Sequence, residues 1–162
     1  NPVETLQHKT GIWALNFLGF TLCITPLRQL TGQASLLRLR RMLGLFAFFY
    51  ATLHALTYVV FDAGPELAQI ASDILARRFL TAGVAAWLVM LPLALTSTNG
   101  WIKRLGSNWR RLHRLVYPVA VLGVLHYWWL VKSDISLPRL YAIVLGALLA
   151  ERLYRQLIKN RQ

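Results

Sequence analysis

MLGLFAFFYATLHALTYVVF, residues 42–61, is 20 residues long and carries no formal charge. At ~1.5 Å of rise per residue, a helix of that length reaches across the ~30 Å hydrocarbon core of a bilayer, so this stretch predicts a membrane span. Four more uncharged runs flank it: 18 residues at 10–27, 24 at 79–102, 17 at 115–131 and 11 at 140–150. The last is short. Arg139 before it and Arg152 and Arg155 after it are expected to snorkel toward the headgroups, while Leu153, Leu157 and Ile158 extend its apolar face. No run shows the period-two alternation of a barrel strand, and lipid offers the backbone no partners outside a helix or a closed barrel. The expected fold is therefore all-α: a polytopic transmembrane helical bundle with five spanning helices, forming one domain over 1–162.

Composition agrees. The 162 residues are 56% hydrophobic and only 15% charged, which argues against an ordinary soluble globule. Lys and Arg number 18 against 6 acidic residues, but they fall in short clusters between apolar runs instead of along one solvated face. That distribution argues for a membrane protein and against nucleic-acid binding. Its arginines are expected to set topology and to contact anionic lipid. A lone cysteine, Cys23, excludes an intrachain disulfide, and no internal repeat is evident.

The loops set an orientation. Arg28, Arg38, Arg40 and Arg41 follow the first run, and Lys103, Arg104, Arg110, Arg111 and Arg114 follow the third. Arg152, Arg155, Lys159 and Arg161 close the chain. The alternate loops are poor in net positive charge. By the positive-inside rule the rich segments are cytoplasmic, with the N-terminus outside and the C-terminus inside. Trp101 and Trp109 fit an inner aromatic belt, and Tyr127, Trp128 and Trp129 an outer one. Because the chain opens on Asn1 outside, one further helix upstream is expected, making six. Between 65 and 78, Leu67, Ile70, Ala71, Ile74 and Leu75 recur at helical spacing opposite Glu66, Gln69 and Asp73, as in a short helix lying on the membrane surface.

Two of the four histidines, His54 and His126, lie inside uncharged runs, where an ionisable residue is costly and points to function. His54 stands 13 residues after Arg41 and His126 stands 13 after His113, each counted from the cytoplasmic edge of a helix running outward. Both imidazoles thus lie ~20 Å from that edge, at one depth. Two imidazoles facing each other between packed helices can clamp a haem through neutral nitrogens. Ala47, Ala51, Ala120 and Gly123 form strips of small residues that leave room for a macrocycle or serve plain helix packing. The alternative is that each histidine bonds a neighbouring helix; two at matched depth favour the clamp. His8 reads as a surface residue. His113 sits at the boundary, about 140° around an ideal helix from His126, with Pro118 between them as a source of a kink.

The stretches at 40–45 leading to His54, at 95–101 (LTSTNGW) and at 109–118 (WRRLHRLVYP) leading to His126 resemble the MsrQ (YedZ) family. These are haem-binding membrane subunits of bacterial periplasmic methionine sulfoxide reductase systems, similar to ferric reductase transmembrane domains. The resemblance covers nearly the whole chain and is most specific in the two histidine-bearing helices. It implies a bacterial inner-membrane protein that passes electrons through b-type haem to a periplasmic molybdenum-cofactor subunit, which reduces methionine sulfoxide in oxidised proteins. A cytosolic flavin reductase or the quinone pool is the implied donor, and FMN the implied second cofactor. Two-haem relatives carry paired histidines on both haem-bearing helices, whereas Arg40 and Arg41 stand at the corresponding positions before His54. An outer haem can be bis-histidine. His113 either binds an inner haem with another ligand, or holds a propionate or flavin phosphate with Arg41 and Arg114, or does neither.

Two other classes compete: a proton or ion transporter using His54 and His126 as a relay, and a non-catalytic scaffold. The relay would need acidic partners inside the spans, and the runs contain none. No nucleophile-and-base pair or phosphate-binding glycine loop suggests a stand-alone hydrolase or ATPase.

Overall fold

The structure is a computed structural model that describes residues 1–64 and 66–159. Pro65 and Arg161, assigned above to the start of the surface helix and to the basic tail, lie outside the described residues, as does the side chain of Lys159. Helix α1 covers Pro2–Thr31. Asn1 caps it by accepting from the Val3 N–H at 3.1 Å, Pro2 fits the first turn, and Gly32 closes it at a φ of 70°. Helix α2, Leu36–Thr57, runs on into a π-helical segment, Tyr58–Ala63, so that His54 sits in the last α-turn before the register changes. The short helix expected after it forms as α3, Leu67–Ala76, with Leu67 and Leu75 more than four-fifths exposed.

Helix α4, Arg78–Leu95, ends earlier than the uncharged run at 79–102 implied. Hydroxyls are the reason. Thr96 Oγ1 donates to the Pro92 carbonyl and Ser97 Oγ to that of Leu93, both at 2.7 Å, and Thr98 caps a new helix through the Trp101 N–H. That helix, α5 (Asn99–Leu105), stops at Gly106 with φ 53°; α6 (Ser107–Leu112), a 3₁₀ turn (His113–Leu115) and α7 (Val116–Leu130) follow. Helix α8, Ser136–Lys159, completes the bundle. No strand forms among the described residues.

Five long helices stand where five spans were expected. By length and composition α1, α2 with its π segment, and α4 qualify as membrane-crossing. Helix α7 is 15 residues long, and α8 is long but more charged. Only 11% of the most apolar window of α2 is buried within the protein, and Phe49, Phe61, Leu88 and Ile143 are all more than half exposed. Such an apolar exterior suits lipid and not water.

Helix α1 packs along α2, and α4 along α7, while α8 leans on α1 and α7. Where the pairs meet, Leu18, Leu22, Ala47, Val119, Ala120 and Leu145 form the core. Ala47 and Ala120 are wholly enclosed, and a Cβ on Gly123 would come within 3.1 Å of Leu15. These small residues therefore allow close helix approach.

Arg152 overturns the snorkelling expectation. It turns inward, donating to the Leu22 carbonyl at 2.9 Å, Thr25 Oγ1 at 2.8 Å and Tyr117 Oη at 3.0 Å. Pro26 explains the first bond: it has no N–H to give the carbonyl four residues back, and in lipid that oxygen has no water to turn to. Tyr127 departs from the outer belt in the same way. It is 6% exposed and meets the rings of His8 and Tyr141 edge-on.

Candidate cofactor site

The two histidines inside the spans come together. Their ring centroids are 5.8 Å apart and their planes are nearly perpendicular at 83°. Two imidazoles bound by nitrogen to opposite sides of one metal, each at about 2.0 Å, have ring centres about 6 Å apart, so the spacing suits a shared metal.

The hydrogen bonds fix which nitrogen is available. His54 Nδ1 lies 2.9 Å from the Gln7 carbonyl and His126 Nδ1 lies 2.7 Å from the Phe79 carbonyl. A carbonyl only accepts, so both Nδ1 atoms must carry the proton and donate it. That leaves each Nε2 with an in-plane lone pair, and no hydrogen bond engages either Nε2 among the described residues. Neutral rings with a fixed tautomer and an uncommitted nitrogen are what a haem iron requires of its axial ligands.

Each ring also rests against a glycine. A Cβ built on Gly11 would stand 3.1 Å from His54 Nδ1, and one on Gly83 would stand 2.7 Å from His126 Nδ1. Helices α1 and α4 thus each provide a bare patch and a carbonyl one turn earlier, and the facing helix lays an imidazole across them. Neither glycine was singled out from sequence, although both precede their histidine by the same 43 residues.

Toward the other end of the same helices lies a cavity of about 300 Å³, at the lower end for small-molecule sites. Apolar side chains form most of its wall; Arg40, Arg41, Ser97, Trp109 and His113 supply the polar part. The His113 ring stacks on Trp109 with centroids 3.8 Å apart, its Nδ1 3.1 Å from the Trp109 carbonyl and its Nε2 3.5 Å from Ser97 Oγ. Trp109 is held in turn by its Nε1–H to the Thr96 carbonyl at 2.9 Å, and its indole forms part of the cavity wall. Burial pushes the His113 imidazole below its ordinary pKa, and the Arg40 charge adds to this.

Of the two arginines expected beside His113, Arg41 lines the cavity and donates to Asn99 Oδ1 at 2.5 Å. Arg114 is exposed and not part of the lining, where Arg40 appears instead. The 3₁₀ turn at His113–Leu115 changes the helical phase just there, and it also separates His113 from the outer pair. No second histidine faces His113, and no group of three metal-ligating side chains occurs among the described residues.

A family model described as the ferric reductase like transmembrane component matches residues 10–124. The chain is 56% identical over 161 residues to the protein-methionine-sulfoxide reductase heme-binding subunit MsrQ of Xanthomonas oryzae pv. oryzae, covering 99% of this chain and 74% of that one. It is 53% identical over 162 residues to the MsrQ subunit of Azospira oryzae, covering 99% and 70%. No solved structure matches.

Proposed function

The chain belongs to the MsrQ family of haem-binding membrane subunits, among the ferric reductase-like transmembrane components, and we propose that it carries electrons through one haem b held between His54 and His126. The observation that carries this reading is the facing pair, 5.8 Å between ring centres with both Nδ1 protons committed to backbone carbonyls. Haem b supplies a one-electron centre at that level of the membrane. The protein's part is to present two neutral Nε2 atoms, hold their planes, and keep the surroundings apolar.

In this reading the basic loops and the C-terminus face the cytoplasm of a bacterium, and the protein is a multi-pass subunit of the inner membrane. Electrons enter from the cytoplasmic side, where a flavin reductase or a quinone is the donor. The cavity with Arg40, Arg41 and His113 suits a small planar group with an anionic or carbonyl edge, FMN included. They leave outward to a periplasmic catalytic subunit that reduces methionine sulfoxide in oxidised proteins. A proton relay through the same histidines is disfavoured, because each Nδ1 proton ends on a backbone carbonyl that has no proton to pass on.

Visible spectroscopy of the purified protein tests the reading. Reducible low-spin haem is expected, and His54→Ala or His126→Ala should abolish it or convert it to high spin. Wild-type low-spin spectra in both variants would refute the ligand pair.

A further inference from the structure

Gln7 and Phe79, Gly11 and Gly83, and His54 and His126 are each separated by 72 residues. The same interval relates five pairs of residues that line the inner cavity: Leu18 with Met90, Thr21 with Leu93, Leu37 with Trp109, Arg41 with His113 and Gly44 with Val116. Helices α1 and α2 therefore place these residues about the bundle as α4 and α7 do, although few residue types coincide at this interval. On this footing, which rests on the haem ligation proposed above, we infer that Gly11 and Gly83 are positioning residues. Each forms, with the carbonyl one turn before it, a seat that fixes the rotation of one ligand imidazole.

The contacts explain why a side chain would be felt at the ligand instead of in the fold. What a Cβ on Gly83 would strike is the imidazole, at 2.7 Å from Nδ1 and 3.0 Å from Cε1, and no backbone atom is among its nearest neighbours. A ring at the end of a side chain gives way more readily than a helix, so the ring is displaced. Its Nδ1–H then loses the 2.7 Å bond to the Phe79 carbonyl that sets tautomer and plane. Gly11 is the gentler copy: its nearest contact, 3.1 Å, asks for a shift of only a few tenths of an ångström. Two other glycines of the bundle, Gly19 and Gly146, are less constrained. A Cβ on Gly19 would meet Leu145 at 3.6 Å, an ordinary contact, and one on Gly146 would meet nothing within 4 Å.

The test compares four full-length variants, Gly83→Ala, Gly11→Ala, Gly19→Ala and Gly146→Ala, purified with haem alongside His54→Ala and His126→Ala. The readouts are the low-spin electron paramagnetic resonance signal and the thermal unfolding midpoint. A graded loss of low-spin signal is expected, largest for Gly83→Ala, smaller for Gly11→Ala and absent in the other two. Native signals in Gly83→Ala and Gly11→Ala, beside lost signals in the histidine variants, would overturn the seats and leave the ligand assignment standing. Native signals in the histidine variants would overturn both. Equal disturbance in all four glycine variants would reduce the effect to general helix packing and also overturn the seats. If Gly83→Ala does not accumulate, Gly11→Ala against Gly19→Ala decides, since both lie on α1.

Discussion

The two ends of α2 and α7 are built on one frame and furnished differently. At one level each helix contributes an imidazole, and each imidazole is held by a carbonyl and a glycine of the neighbouring helix. Thirteen residues earlier, at the cavity level, one helix contributes His113 and the other Arg41. A matched pair of neutral donors suits a metal. A neutral ring opposite a permanent cation suits an anion or a polar edge. One helical scaffold thus separates a ligand level from a charged level by residue choice alone.

The largest effect should separate the levels outright. Replacing His54 or His126 with Ala is expected to remove nearly all low-spin haem, whereas His113→Ala should keep it, as read by visible and electron paramagnetic resonance spectra. Equal loss from all three would break the distinction. Arg41→His would sharpen it: by giving the cavity level a second imidazole, it is expected to add one iron per polypeptide.

Next in size is a change that touches neither level. Arg152→Leu leaves the Leu22 carbonyl and the hydroxyls of Thr25 and Tyr117 without their donor, and should cost about 2–4 kcal/mol, seen as a lower unfolding midpoint with an unchanged haem spectrum. A smaller effect should follow pH. Because the folded state holds the His113 pKa below its ordinary 6.5, the unfolded chain takes up the proton first as pH falls. Stability is then full above about 6.5 and declines through the acid range below it, and His113→Asn should flatten that decline in a thermal titration from pH 7.5 to 5. The smallest effect belongs to α3, where Leu67→Ser and Leu75→Ser should change stability in detergent by no more than about 0.5 kcal/mol while weakening attachment of that helix to lipid vesicles.

Much of this was open to a reader of the chain. Long uncharged runs leave the backbone one solution in lipid, so the helices were legible. His54 and His126 could be matched by counting from the basic edges. What escaped was carried by residues whose effect is not in their polarity. Gly11 and Gly83 act through the absence of a side chain. Thr96 and Ser97 count as uncharged yet end α4 by bonding its carbonyls, and Thr98 starts the next helix by accepting from the Trp101 N–H. Arg114 stands in a 3₁₀ turn that interrupts the helical phase from which its direction would be counted, and the cavity takes Arg40 from α2 instead. Arg152 near a helix end reads as a snorkelling residue until the proline on another helix is seen to need it.

That last contact ties the final helix to the first. During synthesis α1 enters the bilayer long before α8 has been made, and until then the oxygen freed by Pro26 lacks its guanidinium. Packing of α8 against α1 relieves that defect, so the two helices are matched by one guanidinium and one proline.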